Sequence, residues 1–257
     1  MLINPQYGQK MITFKNDKMN FPITRLVWQH IYMYKPEFEE QVLYGSCVDG
    51  NIVRWSQKDP EKIQHLMLNS KNQYNSIDIG GDDKHIAVAG KLKQIELWDL
   101  NKMVMDQCWT KEDKNCHDNS VFTARFFPFN QFNLYSGGWD RTIKFWDVRH
   151  GHITSFAHGT QTCSDSIDME VSGHLVVTGG GTHGEGIQIW DIRNLEGPVF
   201  KLTFSPGEVR NPMIEPFINC CRFIPRTKHI LVAATDAQFP AKIFNYQTGE
   251  LIDKFFN

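Results

Sequence analysis

A serine, a histidine and an aspartate lie within one short stretch, at Ser136, His117 and Asp140. Three such groups in contact could turn the serine hydroxyl into a nucleophile. The surrounding sequence argues against acyl chemistry, because no G-x-S-x-G elbow raises that serine on a strained strand-to-helix turn. Residues 179–186, Gly-Gly-Gly-Thr-His-Gly-Glu-Gly, resemble a phosphate cradle at first sight. They lack the Gly-Lys-Ser/Thr ending and precede a strand, whereas a P-loop opens a helix. A lengthened hairpin turn is the expectation, since glycine serves turns. His150, His152 and His158 form a loose cluster with no thiol or carboxylate at ligand spacing. The six cysteines, at 47, 108, 116, 163, 220 and 221, contain no CxxC pair, and neighbours 220 and 221 would point to opposite faces of a strand. No catalytic residue, metal or cofactor is expected.

The bulk properties are those of a chain that folds normally. The chain has 257 residues, of which 41% are hydrophobic, 22% charged and 12% aromatic. Those values exclude collagen-like, low-complexity and disordered classes. A net charge of −2 gives no basic surface for a nucleic-acid partner. The first residues, MLINPQYGQKMITF, do not combine a basic and an apolar region as a secretory signal does. The longest purely apolar stretch, residues 230–234, is far too short for a membrane span. Together with the cysteine usage, this places the expectation inside the cell: cytoplasmic first, with nucleus or cilium as alternatives.

The elements that must position these residues come from an internal repeat. Around residue 140, short strand-like runs are separated by turn residues, and the third run ends at Trp146-Asp147. Equivalent runs end at Trp55-Ser56, Trp98-Asp99, Trp190-Asp191 and Phe244-Asn245. Taking residues 55, 98, 146, 190 and 244 as equivalent, the spacings are 43, 48, 44 and 54. A period near 40–45 residues with insertions fits a four-stranded unit.

With three intact Trp-Asp pairs at strand ends, the chain resembles the WD-repeat β-propeller family over roughly residues 20–257. The resemblance implies an all-β propeller of about five four-stranded blades. Residues 1–20 form a lead-in with an extra N-terminal strand, and residues 21–257 hold the blades. Residues 9–16 are expected as an extra outer strand and residues 251–256 as another. The ring is then small, open, or completed by other polypeptide, and an open end leaves strand edge for a partner to cover. The resemblance also implies a structural tetrad of His117, Ser136, Asp140 and Trp146, in which indole donates to hydroxyl, hydroxyl to imidazole and imidazole to carboxylate. That role takes Ser136 out of consideration as a nucleophile. Gly45 replaces the serine in the first repeat, and Val88 and Leu92 replace serine and aspartate in the second, so those blades are expected to rely on packing.

By the same resemblance the protein is expected to be a non-enzymatic scaffold, binding other proteins through its loops as part of a larger complex. Turn residues Asp49, Lys91, Trp139, Arg141, His183, Glu185, Gln238 and Phe239 are the partner-binding candidates, with Trp139 foremost because an aromatic at a turn tip suits an interface anchor. Two Trp-Asp-x-Arg boxes end at Arg149 and Arg193. In related proteins such boxes mark substrate receptors of cullin-type ubiquitin ligases, which makes that role one alternative. A structural subunit of a ciliary or cytoskeletal assembly is another. The segment 195–216 is expected as an outer strand at 199–204 followed by a long connection.

Overall fold

The computed structural model describes residues 2–3, 10–12, 22–29, 42–59, 62–67, 71–102, 104–110, 116–128, 130–181, 186–204, 216–235 and 240–255. Those residues form only strands and turns, so no helix among them is long and apolar enough to cross a membrane. After β1 (Leu2–Ile3) and β2 (Lys10–Ile12), the strands group into five antiparallel four-stranded meanders. Blade 1 is β3 (Ile23–Trp28), β4 (Val42–Cys47), β5 (Asn51–Ser56) and β6 (Ile63–Met67). Blade 2 is β7 (Tyr74–Ile79), β8 (His85–Gly90), β9 (Ile95–Asp99) and β10 (Val104–Trp109). Blade 3 is β11 (Val121–Phe127), β12 (Asn130–Gly138), β13 (Thr142–Asp147) and β14 (His152–His158). Blade 4 is β15 (Ile167–Met169), β16 (Leu175–Gly179), β17 (Ile187–Asp191) and β18 (Phe200–Leu202). Blade 5 is β19 (Ile218–Phe223), β20 (His229–Ala234), β21 (Ala241–Asn245) and β22 (Leu251–Phe255). The meanders are arranged as a ring, a five-bladed β-propeller.

Register confirms the repeat alignment residue by residue. Trp55 lies opposite Leu43, Trp98 opposite Ile86, Trp146 opposite Leu134, Trp190 opposite Val176 and Phe244 opposite Ile230. The residue after each aromatic has one job in all five blades. Its side-chain oxygen accepts a backbone N–H two residues on: Ser56 from Lys58, Asp99 from Asn101, Asp147 from Arg149, Asp191 from Arg193 and Asn245 from Gln247. Ser, Asp and Asn can all close this local turn, so the degenerate pairs Trp55-Ser56 and Phe244-Asn245 keep the function of Trp-Asp.

Alternate residues along a strand face opposite sides, and both sides of an inner blade must be covered by neighbours. Four apolar clusters do this. Tyr44 and Ile52 pack with Ile86 and Trp98 between blades 1 and 2, and Ala87 and Leu97 with Leu134 and Trp146 between blades 2 and 3. Tyr135 and Phe145 meet Ile167 and Trp190 between blades 3 and 4, while Val177 and Ile189 meet Val232 and Phe244 between blades 4 and 5. Among the described residues no apolar cluster and no strand pairing joins blade 5 to blade 1, where Leu43, Val53 and Trp55 form a cluster with Cys47 and Trp28 inside blade 1.

The expected N-terminal strand differs in its partner. Within residues 9–16, Lys10–Ile12 is a strand, but it pairs with Leu2–Ile3 in a separate two-stranded sheet rather than extending a blade. The other expected extra strand, β22, is the regular fourth strand of blade 5. The expected outer strand at 199–204 is β18, and the connection after it falls outside the described residues.

Close backbone approach fixes glycine at one repeat position in two blades. A Cβ on Gly138 would fall on the Ser120 carbonyl oxygen, and one on Gly90 would fall on the equivalent Gln73 carbonyl in blade 2. Gly138→Ala should therefore cost about 1–3 kcal/mol, the range for forced overpacking. Gly81→Ala, with nothing within 4 Å of the new methyl, should be neutral or slightly stabilising. Urea melts of the two variants beside the parent chain check the contrast, and equal midpoints would contradict it.

Candidate functional site

Blade 3 contains the complete tetrad. Trp146 Nε1 donates to Ser136 Oγ at 2.8 Å, Ser136 Oγ lies 2.7 Å from His117 Nε2, and His117 Nδ1 lies 2.8 Å from Asp140 Oδ2. With the indole donating to Oγ, the serine proton is aimed at Nε2, leaving Nδ1–H for the carboxylate. This chain of donors needs a neutral imidazole. Burial likewise holds the His117 pKa below its ordinary value, ahead of the opposing pull of Asp140. Burial alone would raise the Asp140 carboxyl, yet the His117 contact and the Asp118 N–H together keep it well below the usual carboxylate range. Asp140 Oδ1 also accepts from Thr142 N, which ties the turn to the tetrad. All four side chains are thereby engaged, and the arrangement sets the loop geometry.

Blade 2 does not rely on packing alone, contrary to the sequence expectation. The Glu96 carboxylate is fully buried and accepts from Tyr74 Oη at 2.6 Å, Gln94 Nε2 at 2.7 Å, Asn72 Nδ2 at 3.2 Å and Trp98 Nε1 at 3.3 Å. Asn72 Oδ1 in turn holds the N–H of Leu92, the residue standing where Asp140 stands in blade 3. The network is rebuilt around a third-strand acid, two residues before the tryptophan. Blade 4 keeps a shorter version, with Trp190 Nε1 donating to Thr178 Oγ1 at 3.3 Å.

The turn between β12 and β13 carries Trp139 and Arg141. Trp139 is 43% exposed and stacks on Phe122 at 5.1 Å between ring centroids, so it rests on its own blade while showing much of its surface. Arg141 is exposed at φ 60°, the same left-handed turn position held by Lys93 in blade 2 and Gly50 in blade 1. Asp49 caps the equivalent blade 1 turn through Asn51 N. His183, Glu185, Gln238 and Phe239 lie outside the described residues.

Arg149 and Arg193 sit at the other end of the third strands, on turns opposite to Trp139, so the partner candidates do not form one surface. Each guanidinium grips its own aspartate through Nε and Nη2: Arg149 on Asp147 at 3.2 and 2.7 Å, Arg193 on Asp191 at 2.9 and 2.6 Å. The Arg193 hydrogen bonds lower the Asp191 carboxyl to about 2, and those of Arg149 hold the Asp147 carboxyl well below the usual carboxylate range. Arg149 also lies over the Phe132 ring, 5.1 Å from its centroid.

A charged cluster that sequence reasoning missed joins the inner strands. Asp165 Oδ1 accepts from Arg25 Nη1 at 2.7 Å and Arg125 Nη2 at 2.8 Å, and its other oxygen pairs with Arg222 Nη2. Blades 1, 3, 4 and 5 thus share one carboxylate. Asp168 pairs with Arg125 at 2.9 Å and accepts Phe223 N, while Asp78 accepts Phe126 N, each linking its blade to the next. Burial, then repulsion from Arg125, lowers Arg25 to about 10; burial, then Arg125 and Arg25, lowers Arg222 to about 9. The sequence signal was present at one repeat position, Asp78, Arg125, Asp168 and Arg222, where charge interrupts otherwise apolar inner strands.

The buried thiols carry no sign of reactivity. All six cysteines are free, and burial pushes Cys47 up to about 11 and Cys163 up to about 12. Among the described residues no three His, Cys, Asp or Glu side chains are grouped to hold a metal ion.

The tetrad has a pH signature. Because the folded His117 binds a proton less readily than an unfolded histidine, its contribution is full above the ordinary value near 6.5 and is lost as pH falls below it. Stability measured by urea melts should therefore decline from pH 7 towards 5, and His117→Asn should flatten that slope. Ser136→Ala, which strips both the indole and the imidazole of their shared partner, should cost about 1–3 kcal/mol throughout.

Comparison with known proteins agrees with this geometry. Residues 110–147, which contain the whole tetrad, match the family model "WD domain, G-beta repeat". The chain is 22% identical over 202 residues to the mitotic checkpoint protein bub3 of Dictyostelium discoideum, covering 77% of this chain and 52% of that protein. It is 23% identical over 158 residues to autophagy-related protein 16 of Arabidopsis thaliana, covering 61% and 29%. It is 22% identical over 157 residues to cilia- and flagella-associated protein 52 of Mus musculus, covering 57% and 24%. The chain thus spans between about a quarter and about half of the length of these relatives. One repeat of the WD type is matched at residues 110–147, and with its tetrad and the five register-equivalent blades it supports the resemblance of the chain to the WD-repeat β-propeller family.

Proposed function

We propose that this protein is a non-enzymatic scaffold that presents the loop face of blade 3 to other proteins within a larger complex. The observation that carries this reading is Trp139, a large aromatic left 43% exposed at a turn tip whose geometry is locked by the tetrad beneath it. A preorganised aromatic loses little entropy on binding, and tryptophan and arginine are enriched among energetic anchors. Arg141, two residues away on the same turn, adds a cationic group to the rim. The relatives support a scaffold in a second way: their names point to mitotic checkpoint, autophagy and cilia or flagella, three settings for one architecture. The likeness to the cilia- and flagella-associated protein favours a structural subunit of a ciliary or cytoskeletal assembly as the second reading. For the ubiquitin-ligase receptor the relevant geometry is that Arg149 and Arg193 hold Asp147 and Asp191 through Nε and Nη2 on exposed turns.

The test is capture of native partners by the purified chain. Trp139→Ala should weaken capture by about tenfold or more, the loss typical of an anchor. Leu92→Ala, at the corresponding exposed turn of blade 2, should leave it unchanged. Both variants should melt within about 0.5 kcal/mol of the parent, as exposed positions do. Undiminished capture by the Trp139 variant would overturn the assignment.

A further inference from the structure

The seam between blades 5 and 1 breaks a pattern that the other four junctions obey. On the inner strands, Ile77, Ala124, Ile167 and Cys221 occupy one ladder position and are fully buried against the preceding blade. Leu26 holds that position in blade 1 and is 51% exposed. Three residues earlier, Tyr74, Val121 and Ile218 are buried, whereas Ile23 is 40% exposed. The facing lip matches. The forward sides of blades 2, 3 and 4 are fully buried, but Leu231, Ala233 and Ile243 on the forward side of blade 5 are only partly covered. The opening is narrow, because Leu43, Val53 and Trp55 behind Leu26 are buried.

The charge pattern changes at the same seam, although Arg222 itself is paired with Asp165 and donates from Nη1 to the Asp165, Ile167 and Cys221 carbonyls. Along the inner strands one ladder position reads Asp78, Arg125, Asp168, Arg222, and then Val27 in blade 1. Arg125 reaches forward to Asp168 of the next blade. Arg222 has no acid ahead of it, since Val27 stands there, and it turns back to Asp165 and to Asp168 at 3.9 Å. The series of apolar contacts is continuous up to this seam and the alternation of charge stops at it.

We propose that the seam receives an extended, apolar-faced β-strand of a partner polypeptide that brings an acidic side chain to the level of Arg222. This rests on the scaffold reading and adds a second contact surface, distinct from the Trp139 turn. The strand supplies apolar side chains to Leu26 on one lip and to Leu231 and Ile243 on the other, in the manner in which Ile167 fills the space beside Gly137. Its carboxylate meets Arg222 as Asp168 meets Arg125.

The probe is a labelled synthetic octapeptide, Ser-Asp-Ser-Ile-Asp-Met-Glu-Val, which copies residues 164–171 and so carries Ile167 and Asp168 in their natural spacing. Fluorescence polarisation against the full chain should show saturable binding. The peptide bearing Asp168→Asn should bind at least about fivefold more weakly, and the chain variants Leu26→Lys and Ile243→Lys at least about tenfold more weakly. Leu26 is exposed, so its variant should keep the parent melting curve. Trp139→Ala should bind the peptide as the parent does. Absence of saturable binding at millimolar peptide, or binding indifferent to both lip variants, overturns the proposal. So does sedimentation showing a dimer dissolved by Leu26→Lys, which would assign the seam to a second copy. If the lip result fails while Trp139→Ala still loses partner capture, the scaffold reading stands and only the seam assignment falls.

Discussion

Each blade is a sheet with two apolar faces, and neither face can be left to water. That constraint organises everything else in the molecule. A buried tryptophan such as Trp146 or Trp190 is worth about 3–5 kcal/mol against truncation, and it faces the blade before it, never its own sheet's other side. The preceding blade must therefore offer small or flat residues at the matching places. Ala87 and Ala89 do so in blade 2, and Gly137 leaves room for Ile167 between blades 3 and 4. Stability is shared between neighbours in the way of a repeat array, so an end blade lacks a partner that every other blade possesses.

The repeat was legible because its residues act locally. Trp98-Asp99, Trp146-Asp147 and Trp190-Asp191 each combine an interblade anchor with a turn cap two residues long, and both functions are written in adjacent letters. The same logic explains why Ser56 and Asn245 pass as variants: they close the turn with a different oxygen. The tetrad was legible for a related reason, since all four members lie between residues 117 and 146 and one turn brings them together. Glu96 was not, because its carboxylate takes over from a different strand position than Ser136 and recruits Tyr74 from the inner strand and Asn72 from the turn before it. A search for the serine finds Val88 and stops. The Arg25–Asp165 contact was further out of reach, because it joins residues 140 apart whose proximity exists only once the ring has formed.

The two classes of ion pair in the structure do different work. Arg149–Asp147 and Arg193–Asp191 are on exposed turns, where water screens the attraction and the net gain is small. Their value lies in fixing the turn and in occupying the guanidinium fork. The inner cluster is less exposed and more costly to assemble, since three arginines must lose water to meet Asp165 and Asp168. An apolar substitute of equal volume would often be as stable. What the charges add is selectivity of place: Asp168 accepts both Arg125 from the blade before and the Phe223 N–H from the blade after, so only one order of blades satisfies it.

Selectivity of place is also what separates the two surfaces proposed for binding. The Trp139 turn is rigid because Asp140 is held by His117, Thr142 N and Asp118 N, so the aromatic is offered in one orientation and a partner need not order it. The seam works in the opposite sense. Leu26 and Ile23 stand exposed at ladder positions that the other blades bury, and Arg222 faces a valine where Arg125 faces an acid. A loop tip of this kind can change from one relative to another without disturbing the frame. A seam has less freedom, because Arg222, Leu231 and Ile243 on one lip also belong to the strands that build the fifth blade. Variation among partners is therefore expected to be written in the turns, while the seam can serve only an occupant that obeys the geometry of the propeller itself.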